Sequence, residues 1–174
     1  MCCDDGESGV GRGAQPCART RESGQMTNNQ LLGTWKLISA IAILPDGTIE
    51  PDVYGNNPVG YITYTPDSRM MVMFARSDRT PFSIDVKSPL GKDIQKLPVA
   101  ELAAAFTSFN AYAGTYKING NTVVHHIEIA SIPNRLGTDL VRTFSFNGDR
   151  VTLKTPPTLS DGVVKVFELV WKRV

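Results

Sequence analysis

Short runs in which apolar and polar residues alternate make up most of the chain. Alternation at every second position is typical of a β-strand with one buried face. Asn119-Gly120 and Asn147-Gly148 each separate two such runs, and Asn-Gly is a strong signal for a tight hairpin. A proline-containing turn at 65–68 separates a third pair. The pattern predicts eight strands, near residues 34–44, 59–65, 69–75, 113–118, 122–130, 138–146, 150–155 and 163–173.

Residues 98–111 follow a different pattern. Pro98 precedes a stretch rich in helix formers, and Leu102, Phe106 and Phe109 recur at helical spacing. This predicts one amphipathic helix, between the third and fourth predicted strands. Eight antiparallel strands form either a sandwich or a closed barrel, and closure removes exposed edges. The predicted fold is all-β, an eight-stranded antiparallel barrel with one short helix, and a barrel of that size just holds a small ligand.

Composition divides the chain in two. The first thirty residues hold all three cysteines and few aliphatic side chains, which predicts a disordered extension over 1–30. They lack the apolar stretch of a secretory signal, and Met26 is a candidate natural start. The predicted domain, residues 31–174, contains no cysteine, which fits a reducing compartment and predicts a cytoplasmic protein.

Charge and motif content exclude several classes of function. With a net charge of +1, the chain lacks the excess of positive charge that binding of nucleic acid requires. It also has no apolar run long enough for a membrane span. The two histidines are adjacent and the cysteine spacing is not that of a metal site, so no metal is expected. Phosphate loop, dinucleotide fingerprint and nucleophile elbow are all missing, so we expect no cofactor. The oligomeric state is left open.

Pairing across the three turns predicts which side chains face the barrel interior. The first Asn-Gly turn places Tyr116 and His125 inside and His126 outside, and the second places Arg142 and Phe144 inside. The turn at 65–68 similarly predicts that Tyr61 and Phe74 face inward. The candidate ligand-binding residues are therefore Arg142, His125, Tyr116, Tyr61, Phe74 and Phe144.

Arg142 is the one charge on its predicted inner face, and a buried guanidinium needs an acceptor because it cannot lose its proton. It either forms an internal ion pair, with Glu168 as a possible partner, or anchors the oxygen of a ligand. His125 is either a satisfied core residue or a hydrogen-bonding or acid–base group in the cavity. The predicted function is binding of a small, mostly apolar molecule with an oxygen-bearing head group.

The first strand opens with Gly33-Thr34-Trp35, a Gly-x-Trp signature. Residues 58–67, 112–116, 124–126, 133–137, 142, 148–149 and 169–173 follow in an order that resembles the lipocalin-like domain family of bacteria and fungi. The resemblance covers residues 31–174. It implies that Trp35 plugs the closed end of the barrel and that Arg173 lies across it as a cation–π partner.

Related small barrels include cyclases and isomerases of natural-product pathways, so the resemblance also implies an alternative function. In this alternative, the cavity confines a reactive conformer of a polyketide or terpenoid. The candidate catalytic residues are His125 and Arg142 as donors and Glu168 as a base.

Overall fold

The computed structural model describes residues 29–174, so the predicted extension lies outside the described residues apart from Asn29 and Gln30. The described part contains ten strands, one α-helix and two short 3-10 helices, at Lys92–Lys96 and Pro133–Arg135. In chain order the elements are β1 (Gly33–Ile43), β2 (Ile49–Glu50), β3 (Val59–Tyr64), β4 (Arg69–Ala75), α1 (Val99–Thr107), β5 (Phe109–Asn119), β6 (Thr122–Ala130), β7 (Asp139–Asn147), β8 (Arg150–Lys154), β9 (Thr158–Ser160) and β10 (Val163–Arg173). Within this range, no helix is both long enough and apolar enough to cross a bilayer.

The predicted eight-stranded antiparallel barrel is confirmed. Strands β1, β3 to β8 and β10 pair in sequence, and β10 closes the ring by pairing with β1. Strands β2 and β9 are short additions that pair with β1 and β10. The helix lies between β4 and β5. The prediction numbered the flanking strands third and fourth because it did not include the two-residue strand β2. The helix ends at Thr107, since Phe109 already belongs to β5.

The two ends of the barrel differ. Tight turns follow β3, β5 and β7 at one end, called here the closed end. The longer connections, including the one that contains α1, lie at the opposite or open end. At the closed end Trp35 is buried, and its indole N–H donates to the Leu31 carbonyl oxygen at 2.8 Å. The Arg173 guanidinium lies 4.0 Å from the centre of the Trp35 ring, the arrangement that the family resemblance implied.

Both Asn-Gly hairpins form with a shifted register. Gly120 and Gly148 have a φ of 59°, a conformation that glycine adopts without strain, and each is the first residue of its two-residue turn. As a result, Tyr116 pairs with His125, two residues beyond the predicted partner. A shift of two residues keeps every side chain on its face, so the predicted inward direction of His125 is confirmed.

The β3–β4 turn differs from the prediction by one residue. Ser68 has a φ of 62° and takes up an extra position in the turn, and Tyr64 therefore pairs with Met70. A shift of one residue reverses the faces of a strand. Tyr61, predicted to face inward, lies on the outer surface with 48% of its area exposed, whereas Phe74 faces inward as predicted.

Candidate functional site

A cavity of about 140 Å³ lies inside the barrel toward its open end, and we call it the inner cavity. Its wall is largely apolar and aromatic, with a few polar side chains. The lining residues are Val53, Tyr54, Ile62, Phe74, Asn110, Tyr112, Arg135, Arg142, Leu153, Thr155, Phe167, Leu169 and Trp171. Protein cavities of roughly 150 Å³ hold a single benzene ring, so this space suits a small aromatic molecule.

Arg142 contributes a positive charge to this wall. It lies on the inner face of β7, and its Nη1 donates to the Val141 carbonyl oxygen at 2.7 Å. Among residues 29–174, no carboxylate lies within ion-pair distance of its guanidinium. The guanidinium therefore keeps donors available for a ligand oxygen.

The suggested ion pair between Arg142 and Glu168 is wrong. Strand β10 directs Leu169 and Trp171 into the barrel, so Glu168 between them lies on the outer face. There its carboxylate lies 2.7 Å from the Lys154 ammonium of the neighbouring strand β8. Glu168 is thus not positioned to act as a base on a molecule in the inner cavity.

Arg135 supplies a second guanidinium at the cavity wall. It comes from the connection between β6 and β7, and it donates to the Asn110 side-chain oxygen at 3.0 Å. Its guanidinium carbon is also 5.9 Å from the centre of the Tyr112 ring. The sequence analysis missed Arg135 because strand alternation gives no direction for a side chain in a connection.

His125 is completely buried between two tyrosines and does not line the inner cavity. Its Nε2 is 2.9 Å from the Tyr64 hydroxyl, and its Nδ1 is 3.5 Å from the Tyr112 hydroxyl. Burial, and then the nearby positive charge of Arg142, lower the pKa of His125 to about 3, so the imidazole is neutral near pH 7. Burial also raises the pKa of Tyr64 well above its usual value. The geometry agrees with the interpretation of His125 as a satisfied core residue.

The remaining predicted ligand-binding residues are dispersed. Phe74 lines the inner cavity together with Arg142. Phe144 packs in the core against Phe146, with ring centres 5.6 Å apart. Tyr116 lies at the closed end, where its hydroxyl accepts from the Asn29 amide at 2.7 Å and donates to the Thr65 carbonyl oxygen at 3.1 Å. Two of the six candidates therefore meet at the inner cavity.

Tyr54, Tyr112 and Trp171 line the cavity but were not among the predicted site residues. Tyr112 shares the alternation of Gly114 and Tyr116, which would have indicated its direction. Trp171 belongs to a strand that is apolar on both faces, so alternation leaves its direction open. Tyr54 lies in the β2–β3 connection and has no such signal.

A wider space of about 1080 Å³, the outer hollow, adjoins the inner cavity at the open end. Most of its lining residues are polar or charged, and most of them come from α1, from the connection after β4 and from β10. The two spaces share Val53, Tyr54 and Phe167 as lining residues. A ligand that reaches the inner cavity from this side therefore passes into a more apolar environment. No group of three or more metal-ligating side chains is found within residues 29–174.

Two comparisons relate this barrel to known proteins. An Aspergillus oryzae protein named 4'-hydroxy-3'-methoxypropiophenone carrier protein is 29% identical over 83 residues, which cover 42% of this chain and 75% of the relative. The family model described as Lipocalin-like domain matches residues 32–174, which include every strand of the barrel. The chain therefore belongs to the lipocalin-like domain family.

Proposed function

We propose that the protein binds and carries a small aromatic compound with a carbonyl or comparable oxygen acceptor, held in the inner cavity. The observation that carries this proposal is Arg142, a permanently charged donor on a largely apolar wall with no carboxylate partner in the described residues. In such surroundings a guanidinium without a carboxylate partner favours a ligand that brings an oxygen acceptor.

The rest of the wall supports an aromatic ligand. Phe74 and Tyr54 meet edge to face with ring centres 4.7 Å apart, and both border the inner cavity. Aromatic walls favour offset or edge-on contact with another ring. The related Aspergillus oryzae protein is named for an aryl ketone, which combines a ring with oxygen acceptors.

The cyclase or isomerase alternative has less support. It requires acid–base groups that reach the ligand, as general acid–base catalysis needs hydrogen-bond contact. Glu168 lies on the outer face, and His125 does not line the inner cavity and is hydrogen-bonded to Tyr64. We therefore favour binding and transport over turnover.

Binding of 4'-hydroxy-3'-methoxypropiophenone, measured by isothermal titration calorimetry on the full chain, tests the proposal. We expect saturable binding, and we expect Arg142→Met to weaken it about 10-fold to 100-fold, because a charge-assisted hydrogen bond is lost while the side chain keeps its bulk.

Arg150→Met is the matched control. Arg150 lies on the exposed outer side of β8, so its loss should leave the affinity unchanged. Absence of binding to the wild-type protein, or equal affinity of the folded Arg142→Met variant, would contradict the proposal.

A further inference from the structure

The indole N–H of Trp171 is a buried donor without an acceptor. Trp171 is 1% exposed, and its Nε1 has no hydrogen-bond partner within residues 29–174. Buried polar groups are nearly always paired, so each exception needs an explanation. The other tryptophan follows the rule, because Trp35 donates to the Leu31 carbonyl oxygen.

Trp171 also forms part of the wall of the inner cavity. Its ring meets Phe74 edge to face across the barrel, with ring centres 6.2 Å apart. The one buried side-chain donor without a partner in the described residues therefore belongs to a residue that borders the space proposed for the ligand. The Nε1 atom itself is enclosed by neighbouring atoms, so a ligand oxygen reaches it only with a small displacement of the wall.

We propose that the Trp171 indole N–H is a specificity-determining donor that a ligand oxygen satisfies at the deep side of the inner cavity. This inference rests on the proposed function and adds to it a second contact point, two strands from Arg142 and nearer the closed end. The ligand class is narrowed to small aromatic molecules with an oxygen acceptor at each end.

The strand registers support two separate contact points. Trp171 pairs with Val151, which in turn pairs with Phe146 on β7. Phe146 lies four positions from Arg142 toward the closed end, which corresponds to roughly 13 Å along the strand. The two donors are therefore offset along the barrel, and we expect a ligand that reaches both to carry oxygen acceptors on opposite ends of its ring.

The test compares two probes in calorimetry on the full chain: 4'-hydroxy-3'-methoxypropiophenone, which has oxygens at both ends, and propylbenzene, which has none. Trp171→Phe keeps an aromatic ring and removes the N–H. We expect this variant to bind the ketone about 5-fold to 10-fold more weakly and propylbenzene with unchanged affinity.

Phe74→Leu is the matched control, since it alters the same wall without removing a donor, and it should weaken both probes alike. Equal loss for both probes in Trp171→Phe would assign Trp171 a packing role and overturn the inference. Unchanged affinity for both would overturn it as well while leaving the proposed function intact. If neither probe binds the wild-type protein, the proposed function fails and this inference fails with it.

A second measurement does not depend on the folding of the variant. In the wild-type protein labelled with ¹⁵N at tryptophan, the Trp171 indole signal is assigned through its contact with Phe74. We expect the ketone to move this signal downfield and propylbenzene not to do so, with the Trp35 signal as internal reference. Equal responses to the two probes would overturn the inference.

Discussion

At the scale of single residues, the polar groups inside the barrel are of two kinds, those whose hydrogen-bonding groups have partners in the described residues and those that keep a donor without one. Those that do not line the inner cavity have protein partners, as His125 has in Tyr64 and Tyr112. Those on the wall of the inner cavity include Arg142, which lacks a carboxylate partner, and Trp171, which lacks an acceptor in the described residues. The first kind stabilises the neutral core, whereas the second leaves donors for a ligand. A buried polar side chain is therefore a candidate ligand contact only where it keeps a donor or acceptor without a partner within the protein.

The buried histidine predicts how stability depends on pH. The pKa of His125 is about 3 in the folded protein and about 6.5 for an ordinary exposed histidine, so the unfolded chain binds more protons between these values. Stability from this group is fully present above about pH 6.5 and falls as the pH decreases toward 3, by roughly 1.4 kcal/mol per pH unit. Urea unfolding at several pH values measures this slope.

His125→Gln should remove this part of the slope, whereas His126→Gln should retain it, because His126 is an exposed residue. Parallel losses of stability in the wild-type protein and in His125→Gln between pH 6 and pH 4 would contradict the assignment.

Individual strands and turns show where the sequence was informative. The two Asn-Gly turns predicted the correct faces for His125 and Arg142 although each register was shifted by two residues, because such a shift preserves alternation. The turn before Arg69 failed because Ser68 adopts a left-handed conformation that its sequence does not signal, and this reversed Tyr61. In β10, apolar residues on both faces concealed the opposite directions of Glu168 and Trp171.

A glycine in the middle of β5 supports a close approach of two strands. Gly114 lies beside a bulge in the β5–β6 pairing, and a Cβ atom there would lie 1.9 Å from the His126 carbonyl oxygen. Gly114→Ala should therefore lower the free energy of unfolding by about 3 kcal/mol or more, because backbone would have to move. Chemical denaturation measures the change.

Gly91→Ala is the matched control. Gly91 lies in the connection after β4 with a φ of −74°, and the nearest atom to an added Cβ is 3.3 Å away. We expect a change of less than about 1 kcal/mol there. A similar small effect at Gly114 would show that the bulge adapts to a side chain.

At the scale of the whole molecule, closure of the barrel could be predicted from the sequence, whereas the wall of the inner cavity could not. Closure followed from strand count and from the Gly-x-Trp signature, and both were available in the sequence. The lining of the inner cavity could not be predicted in the same way, because its wall combines strand residues with Tyr54 and Arg135 from connections. Side chains in connections take their direction from the assembled barrel, and local alternation does not encode it.

Arg173 connects the last strand to the segment before the first. Its guanidinium covers Trp35 and donates to the carbonyl oxygens of Leu32 at 2.7 Å and Gln30 at 2.6 Å. Arg173→Met should lower the free energy of unfolding by about 2 kcal/mol, as a cation–π contact and charged hydrogen bonds are lost. Thermal unfolding followed by circular dichroism measures the loss.

Lys172→Met is the control, because Lys172 forms an exposed pair with Asp149 at 3.4 Å and should contribute less than about 0.5 kcal/mol. Equal effects of the two substitutions would mean that Arg173 acts only as another surface charge.

The helix α1 buries none of its residues, although it forms part of the outer hollow. Displacement of α1 would therefore expose little apolar surface to water and would cost little free energy, while the hydrogen-bonded walls of the barrel stayed in place. Under the proposed carrier function, release of a ligand would then require at most a displacement of α1, and the barrel would not have to unfold.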